Sequence, residues 1–432
     1  MNSPMDNNVP TVSETTESKR GQRSYRLRVG IAAGVVVAAA VGGTVTAFAV
    51  NSEPASSSAS NGSSALSASN GKAAAIDGPL STKGSDIVDS KGHKVVLTGI
   101  NWFGMETGSF APHGLWARNW KSMLDQIAHN GFNTIRLPYS NEIFAAKSKP
   151  NGIDYKQNPD LKGLTGQQIM DKIVKGATDR GMMVILDQHR PDQYGQSELW
   201  YSQNLTEKQW LDDWKQLAKR YKDNPRVIGA DLHNEPRGQA TWGDGNPKTD
   251  WRLAAEKAGN AIHSVNKNWL IFVEGTDRHG DEQFWWGGDL QGVKKYPVKL
   301  KESNKVVYSA HDYGPGVYNQ NWFMAKDFPK NMPAIWKKHW AYIKQDNIAP
   351  VLLGEFGGRK TAGKSSEAVW QNALMDYLKK NQISYTYWSL NPNSGDTGGV
   401  LKNDWKSVDK NKMKMLSKYQ APLLPAKGKT SE

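Results

Sequence analysis

Two short runs in this sequence set a glutamate among residues that could make it reactive: Asn234-Glu235-Pro236 and Gly354-Glu355-Phe356-Gly357. Two carboxyl groups can cut a glycosidic bond with retention when one protonates the leaving oxygen and the other, about 5 Å away, attacks the anomeric carbon. The two need opposite treatment. Glu355, as attacking group, must stay ionised; Arg136 beside it would favour the charge, and Tyr313 could donate it a hydrogen bond. Glu235, as acid and then base, is expected to have its pKa raised by an apolar or anionic setting. Asn234 suits a bond to a sugar 2-hydroxyl, which strengthens in the transition state. His189 and His311 are expected to contact sugar hydroxyls or tune the glutamates, and Trp388 to stack beneath the cleaved ring.

A lone Glu at a strand end is usually one half of a salt bridge, so the case rests on the elements that would bring both together. Short β-branched runs fall at 95–99, 134–137, 183–187, 227–232, 270–274, 306–310, 351–355 and 384–388. Amphipathic stretches between them predict helices at 116–130, 165–180, 206–222, 251–266, 332–347 and 365–381, several opened by Thr or Ser at the N-cap. Strands alternating with helices demand a parallel sheet, and eight such units predict a single α/β domain built as a (β/α)8 TIM barrel. An open, doubly wound sheet would want a Gly-rich phosphate loop after the first strand, and there is none. In a barrel the C-terminal strand ends converge on one rim. Here those ends read Asn101 and Trp102, Arg136, His189, Asn234 and Glu235, Glu274, His311 and Tyr313, Glu355, and Trp388. Strands four and seven face each other, so Glu235 and Glu355 can flank a bound sugar.

These stretches resemble the cellulase family, family 5 of the glycoside hydrolases, from about Leu97 to Trp405. The resemblance is carried by Leu97-Thr98-Gly99-Ile100-Asn101-Trp102-Phe103-Gly104, Asn133-Thr134-Ile135-Arg136-Leu137-Pro138, Asp231-Leu232-His233-Asn234-Glu235-Pro236, Tyr308-Ser309-Ala310-His311-Asp312-Tyr313, Gly354-Glu355-Phe356-Gly357 and Tyr387-Trp388-Ser389-Leu390-Asn391-Pro392. The run Ser394-Gly395-Asp396-Thr397-Gly398-Gly399 is similar to the bacterial endoglucanase branch. The resemblance implies a retaining endo-β-1,4-glucanase that needs no metal or cofactor. It puts the acid/base at Glu235 and the nucleophile at Glu355, with Arg136, His189, Asn234, His311, Tyr313 and Trp388 around them. Family members often carry disulfides, whereas this chain has no cysteine, so its loops must be held otherwise.

The 17 tryptophans exceed ordinary packing needs and suggest flat platforms for sugar rings. Trp102, Trp242, Trp285, Trp286 and Trp322, with Gln320, are nominated for outer subsites on rim loops; of the adjacent pair, Trp286 is expected to pack inward. His113, His129, His263 and His339 read as surface or structural histidines. A formal charge of +13 could indicate a polyanion partner, but the signs are mixed along the chain and no nucleic-acid motif accompanies them, so a solvated basic surface is expected. A metal-dependent hydrolase could use His189, His233 and His311 with Glu235, but no His-x-His follows the first strand and no Asp ends the last. A non-catalytic binding protein on this fold would be expected to have lost one glutamate or its neighbours, and all are present.

The N-terminus supplies the address. Residues 1–28 end in a basic run, and 29–50 form an apolar stretch closing on Ala47-Phe48-Ala49, which predicts an export signal cut after Ala49 or an uncleaved membrane anchor. Either places the rest outside the cytoplasm. Residues 51–75 are Ser/Ala-rich and read as a flexible linker, leaving 76–432 as a catalytic domain expected to be monomeric.

Overall fold

The computed structural model describes Ile76 and residues 78–423. The expectations for 1–28, 29–50 and 51–75 lie outside the described residues. Eight strands, β1 (Thr98–Asn101), β2 (Thr134–Ser140), β3 (Met183–Arg190), β4 (Val227–Asp231), β5 (Leu270–Glu274), β6 (Val306–His311), β7 (Val351–Glu355) and β8 (Ser384–Tyr387), pair in parallel and close into one barrel, β8 returning to β1. Alternate residues of a strand face opposite ways. Outward residues such as Ile135, Leu137, Val184, Leu186, Ile271, Val273 and Leu353 pack into the main core under the helices. Inward residues divide by height. Leu97, Met183, Ile185, Leu270, Phe272, Val307 and Leu352 make an apolar floor, and above it the interior turns polar with Arg136, Asp187, Asp231, Glu274 and His311, all at most 0 % exposed.

A three-stranded antiparallel ribbon, Ser81–Lys83, Asp86–Val88 and Lys94–Val95, closes the barrel's N-terminal mouth. Its Leu80, Ile87 and Val95 join the floor, with Ile76 packed against them. Burying each such side chain is worth about 1.5–3 kcal/mol. The ribbon corrects one expectation: Val95 belongs to it, and β1 starts at Thr98 and runs on to Asn101.

Helices Trp120–His129, Gly166–Asp179, Glu207–Arg220, Trp251–His263 and Ser366–Asn381 surround the barrel. Their starts follow from their caps: Asn119, Thr206, Asp250 and Ser365 each accept from a first-turn N–H, and Thr165 with Gln168 makes a full capping box. The expected helix at 116–130 therefore begins four residues late. The stretch 332–347 is broken by a π-helical turn, Lys337–Ala341, between Met332–Trp336 and Tyr342–Gln345. No α-helix separates β5 from β6. A short hairpin, Arg278–His279 with Glu282–Gln283, and a 3-10 turn, Gln291–Lys294, occupy that interval and carry Trp285 and Trp286 to the rim.

Candidate active site

Glu355 ends β7 with both carboxylate oxygens engaged. Oε1 accepts from Arg136 Nη1 at 2.7 Å and Oε2 from Tyr313 Oη at 2.6 Å. Arg136, inward on β2 and wholly buried, is itself fixed on every side: Nε donates to Asp231 at 2.9 Å, Nη1 to Asn101 at 3.0 Å, and Nη2 to Asn234 and Glu274, each at 3.0 Å. Asp187 lies 3.1 Å away. Burial opposes the guanidinium charge, but Asp187, Asp231, Glu355 and Glu274 together hold its pKa well above the ordinary arginine value. The glycine two residues after Glu355 has a steric reason, because a Cβ at Gly357 would sit 2.0 Å from the Trp388 carbonyl oxygen.

Glu235, just beyond β4, brings a carboxylate oxygen within 4.8 Å of one on Glu355. Retaining enzymes hold their two carboxyl groups about 5–5.5 Å apart, and this approach is compatible with that. Its Oε1 lies 3.1 Å from His311 Nδ1, and the same nitrogen is 3.6 Å from Glu355. The expected raised pKa is reversed. Burial would raise the Glu235 carboxyl, but the bond to His311 and the charge on it, with Arg237 further off, draw it below the usual glutamate range. Burial likewise works against charge on His311, yet Glu274, Glu355 and the bond to Glu235 hold it well above the ordinary histidine value. The hydrogen bond between them thus joins a histidine held toward its charged form to a glutamate held toward its ionised form.

Beneath these groups sit carboxyls pushed up by burial, Asp187 and Asp231 to about 6 and Glu274 to about 8, each tempered by Arg136. They are not an open cation site, because Arg136 already touches all three. His189 bonds Asp187 Oδ2 through Nδ1 at 2.7 Å; burial, with Arg136 nearby, pulls it down to about 3, leaving a neutral ring. Asn234 is fixed by its Oδ1, and its Nδ2 is buried without a partner.

The structure thus brings Arg136, His189, Asn234, Glu235, His311, Tyr313 and Glu355 into one buried cluster. Trp388 is half-buried at its edge, its ring nearly parallel to those of Phe103 and His189, with Nε1 3.2 Å from Ser394 Oγ. Several outer nominations change. Trp102 is fully buried, its Nε1 donating to the His113 carbonyl at 3.0 Å, so it offers a sugar no free face. The Trp285 and Trp286 order is the reverse of that expected: Trp285 is 8 % exposed and edge-on to Tyr313, whereas Trp286 is 51 % exposed with the Arg237 guanidinium 4.2 Å over its ring. Trp242 is half-buried and donates to the Tyr296 carbonyl at 2.9 Å. Trp322 is half-buried against Phe284, and Gln320 is half-buried at the start of the same short turn. Nine tryptophans, Trp102 among them, are wholly buried, so packing absorbs over half of the 17. His233, imagined as a metal ligand, instead bonds Gln188 at 2.9 Å and packs edge-on to Trp251. His113 and His339 are structural, the former bonded to Thr107, Ser109 and Asn393 and the latter stacked on Phe284 and bonded to Asp289.

A closed eight-stranded barrel with paired glutamates facing each other from its fourth and seventh strands defines a retaining glycoside hydrolase. The model of the cellulase family, glycosyl hydrolase family 5, matches residues 88–394. The chain belongs to that family. An endoglucanase of Paenibacillus polymyxa is 56% identical over 355 residues, covering 82% of this chain and 89% of that protein. The major extracellular endoglucanase of Xanthomonas campestris is 47% identical over 335 residues, 76% of this chain and 69% of that protein. Among solved structures, a complex of an endocellulase from Pyrococcus horikoshii with cellotetraose superposes with a TM-score of 0.75 at 44% identity, covering 79% of this chain and 98% of that one.

Proposed function

We propose that this endo-β-1,4-glucanase cuts internal bonds of cellulose or a related β-glucan by double displacement, with Glu355 as nucleophile and Glu235 as acid/base. The observation that carries the reading is the approach of the two carboxylates to within 4.8 Å, with Glu355 alone clamped by a guanidinium and a phenol. Glu355 attacks the anomeric carbon while Glu235 protonates the departing oxygen, the proton being held in the Glu235–His311 pair. Glu235 then removes a proton from water, which displaces Glu355 and restores the β configuration. Asn234 Nδ2 supports the 2-hydroxyl, and Trp388 supports the ring face. Trp286, stacked on Arg237, and the half-buried Trp242 and Trp322 with Gln320 are candidates for further rings.

The polymer substrate fits the cellotetraose held by the Pyrococcus horikoshii endocellulase, and export fits the extracellular relative in Xanthomonas campestris. We further infer that the domain begins near Ile76, acts as a monomer and works outside the cytoplasm, either released or held by 29–50. Among the described residues no helix is long and apolar enough to cross a membrane. The test is NMR of fresh hydrolysate of a soluble β-glucan. The β anomer should appear first; the α anomer first would refute double displacement, and no reducing sugar from carboxymethylcellulose would refute the activity.

A further inference from the structure

Glu274 ends β5 wholly buried, and no role in the proposed reaction has been given to it. Its two oxygens nevertheless reach the Glu235 main chain, Arg136 and His311. Oε2 accepts the main-chain N–H of Glu235 at 2.8 Å. Oε1 accepts from Arg136 Nη2 at 3.0 Å and lies 3.3 Å from His311 Nε2, on the far side of the ring from Glu235.

The bond to Glu235 matters because that residue has φ 53°, a left-handed conformation that a side chain disfavours and that surrounding contacts must enforce. Gly287 shows how close the fit is. A Cβ there would meet Glu274 Oε2 at 2.3 Å and Glu235 Cα at 3.1 Å.

We infer that Glu274 is a positioning residue for the acid/base: it holds the Glu235 main chain in its turned conformation and backs His311, so that the shared proton stays beside Glu235. This rests on the acid/base reading of Glu235. The charged and titratable groups facing Glu274 are Arg136 from β2, Asp187 from β3, Asp231 and Glu235 from β4 and its continuation, His311 from β6 and Glu355 from β7. Burial lifts the Glu274 carboxyl to about 8 against the pull of His311 and Arg136, in keeping with a carboxyl kept inside for its contacts.

The test is Glu274→Gln, which keeps the size but turns an amide nitrogen toward donors. On a cello-oligosaccharide kcat should fall about 100-fold with KM within about twofold, as for lost acid catalysis. On 2,4-dinitrophenyl β-cellobioside, whose leaving group needs no proton, the loss in kcat/KM, which reports the glycosylation step alone, should shrink to under about 10-fold. The alkaline limb of kcat should move to lower pH, because His311 without its backing carboxylate gives up its proton sooner. Gly287→Ala, whose Cβ would crowd Glu274 Oε2 off the Glu235 main chain with both glutamates unsubstituted, should show the same leaving-group dependence. Equal losses on both substrates, or an unmoved pH profile in a folded Glu274→Gln, would overturn the role. Glu235→Ala run alongside separates the two readings. If it lacks leaving-group dependence, the acid/base assignment falls; if it has that dependence and the Glu274 and Gly287 variants do not, only the positioning role falls.

Discussion

Asn234 offers a measurement whose size follows from its contacts. Its Oδ1 accepts from Arg136 at 3.0 Å, which fixes the amide plane and leaves Nδ2 buried without an acceptor. A buried donor in that condition costs about 1–3 kcal/mol. A sugar 2-hydroxyl that accepts from Nδ2 removes the cost and adds the bond, and the gain peaks as the ring flattens toward the transition state. Asn234→Ala should therefore lose about 2–3 kcal/mol of transition-state stabilisation, or about 30- to 150-fold in kcat/KM. The assay is a cycle on two aryl β-cellobiosides, one with the 2-hydroxyl at the cleaved ring and one without. If the amide acts through that hydroxyl, Asn234→Ala should cost little on the 2-deoxy substrate. Losses that add to within about 0.5 kcal/mol would show that the two groups do not meet, and the argument from the orphaned donor would fail.

Further expectations concern the clamp, the pair, the buried acids and the chain's start. Glu355→Gln should lose about 10^4-fold or more in turnover while still binding oligosaccharide in calorimetry. Glu235→Ala should yield β-glycosyl azide when azide is supplied, and formation of that product by Glu355→Ala instead would exchange the two roles. Arg136→Ala strands Asp187, Asp231, Glu274 and Glu355 without their cation, a loss of about 3–5 kcal/mol by chemical denaturation at pH 7. The deficit should narrow at pH 5, where Asp187 and Asp231, already near 6, take up protons. Asp312, bonded to Trp340 Nε1 at 3.0 Å, is lifted by burial to about 8. A carboxyl whose folded pKa is raised gives stability that is full below its unfolded value near 4 and is lost as pH rises through 8. Asp312→Asn should thus gain on the native protein in melting temperature from pH 5 to pH 9, and parallel curves would contradict this. A chain begun at Ile76 should be soluble and fully active on soluble β-glucan, and mass spectrometry of exported protein should find Val50 first if the signal is cut.

The barrel was legible because all eight strands are short β-branched runs buried on both faces, a pattern few other folds produce. What escaped was their upper ends. β2 continues through Pro138-Tyr139-Ser140 and β3 through Gln188-His189-Arg190, because polar residues that look like loop still alternate in and out beside a solvated site. The glutamates were legible from their neighbours and their strands. The pKa of Glu235 was not, since the His311 that lowers it stands 76 residues away in the chain. Nor does composition say which face of an indole is free: Trp102 and Trp285 turn inward, and Trp286 turns out. Glu274 showed only as a strand end, with no flanking motif to mark it, and its meaning lies in three contacts that topology alone creates.

The ribbon beneath the barrel has a consequence for anything attached to this enzyme. The described chain enters through Ile76 and Leu80 at the apolar floor, and it departs there too, with Ala421 N–H on Thr98 Oγ1 at the base of β1 and Gln420 on the Asn130 carbonyl at 2.8 Å. Both handles are thus on the underside. A sugar-binding module, a dye or a solid support joined directly at Ile76 or Leu423 hangs below and leaves the polymer an unobstructed approach from above. Because Ile76 and Leu423 share one face, a chain limited to the described residues could also be cut in a rim-distant loop and rejoined between them without crossing the cleft.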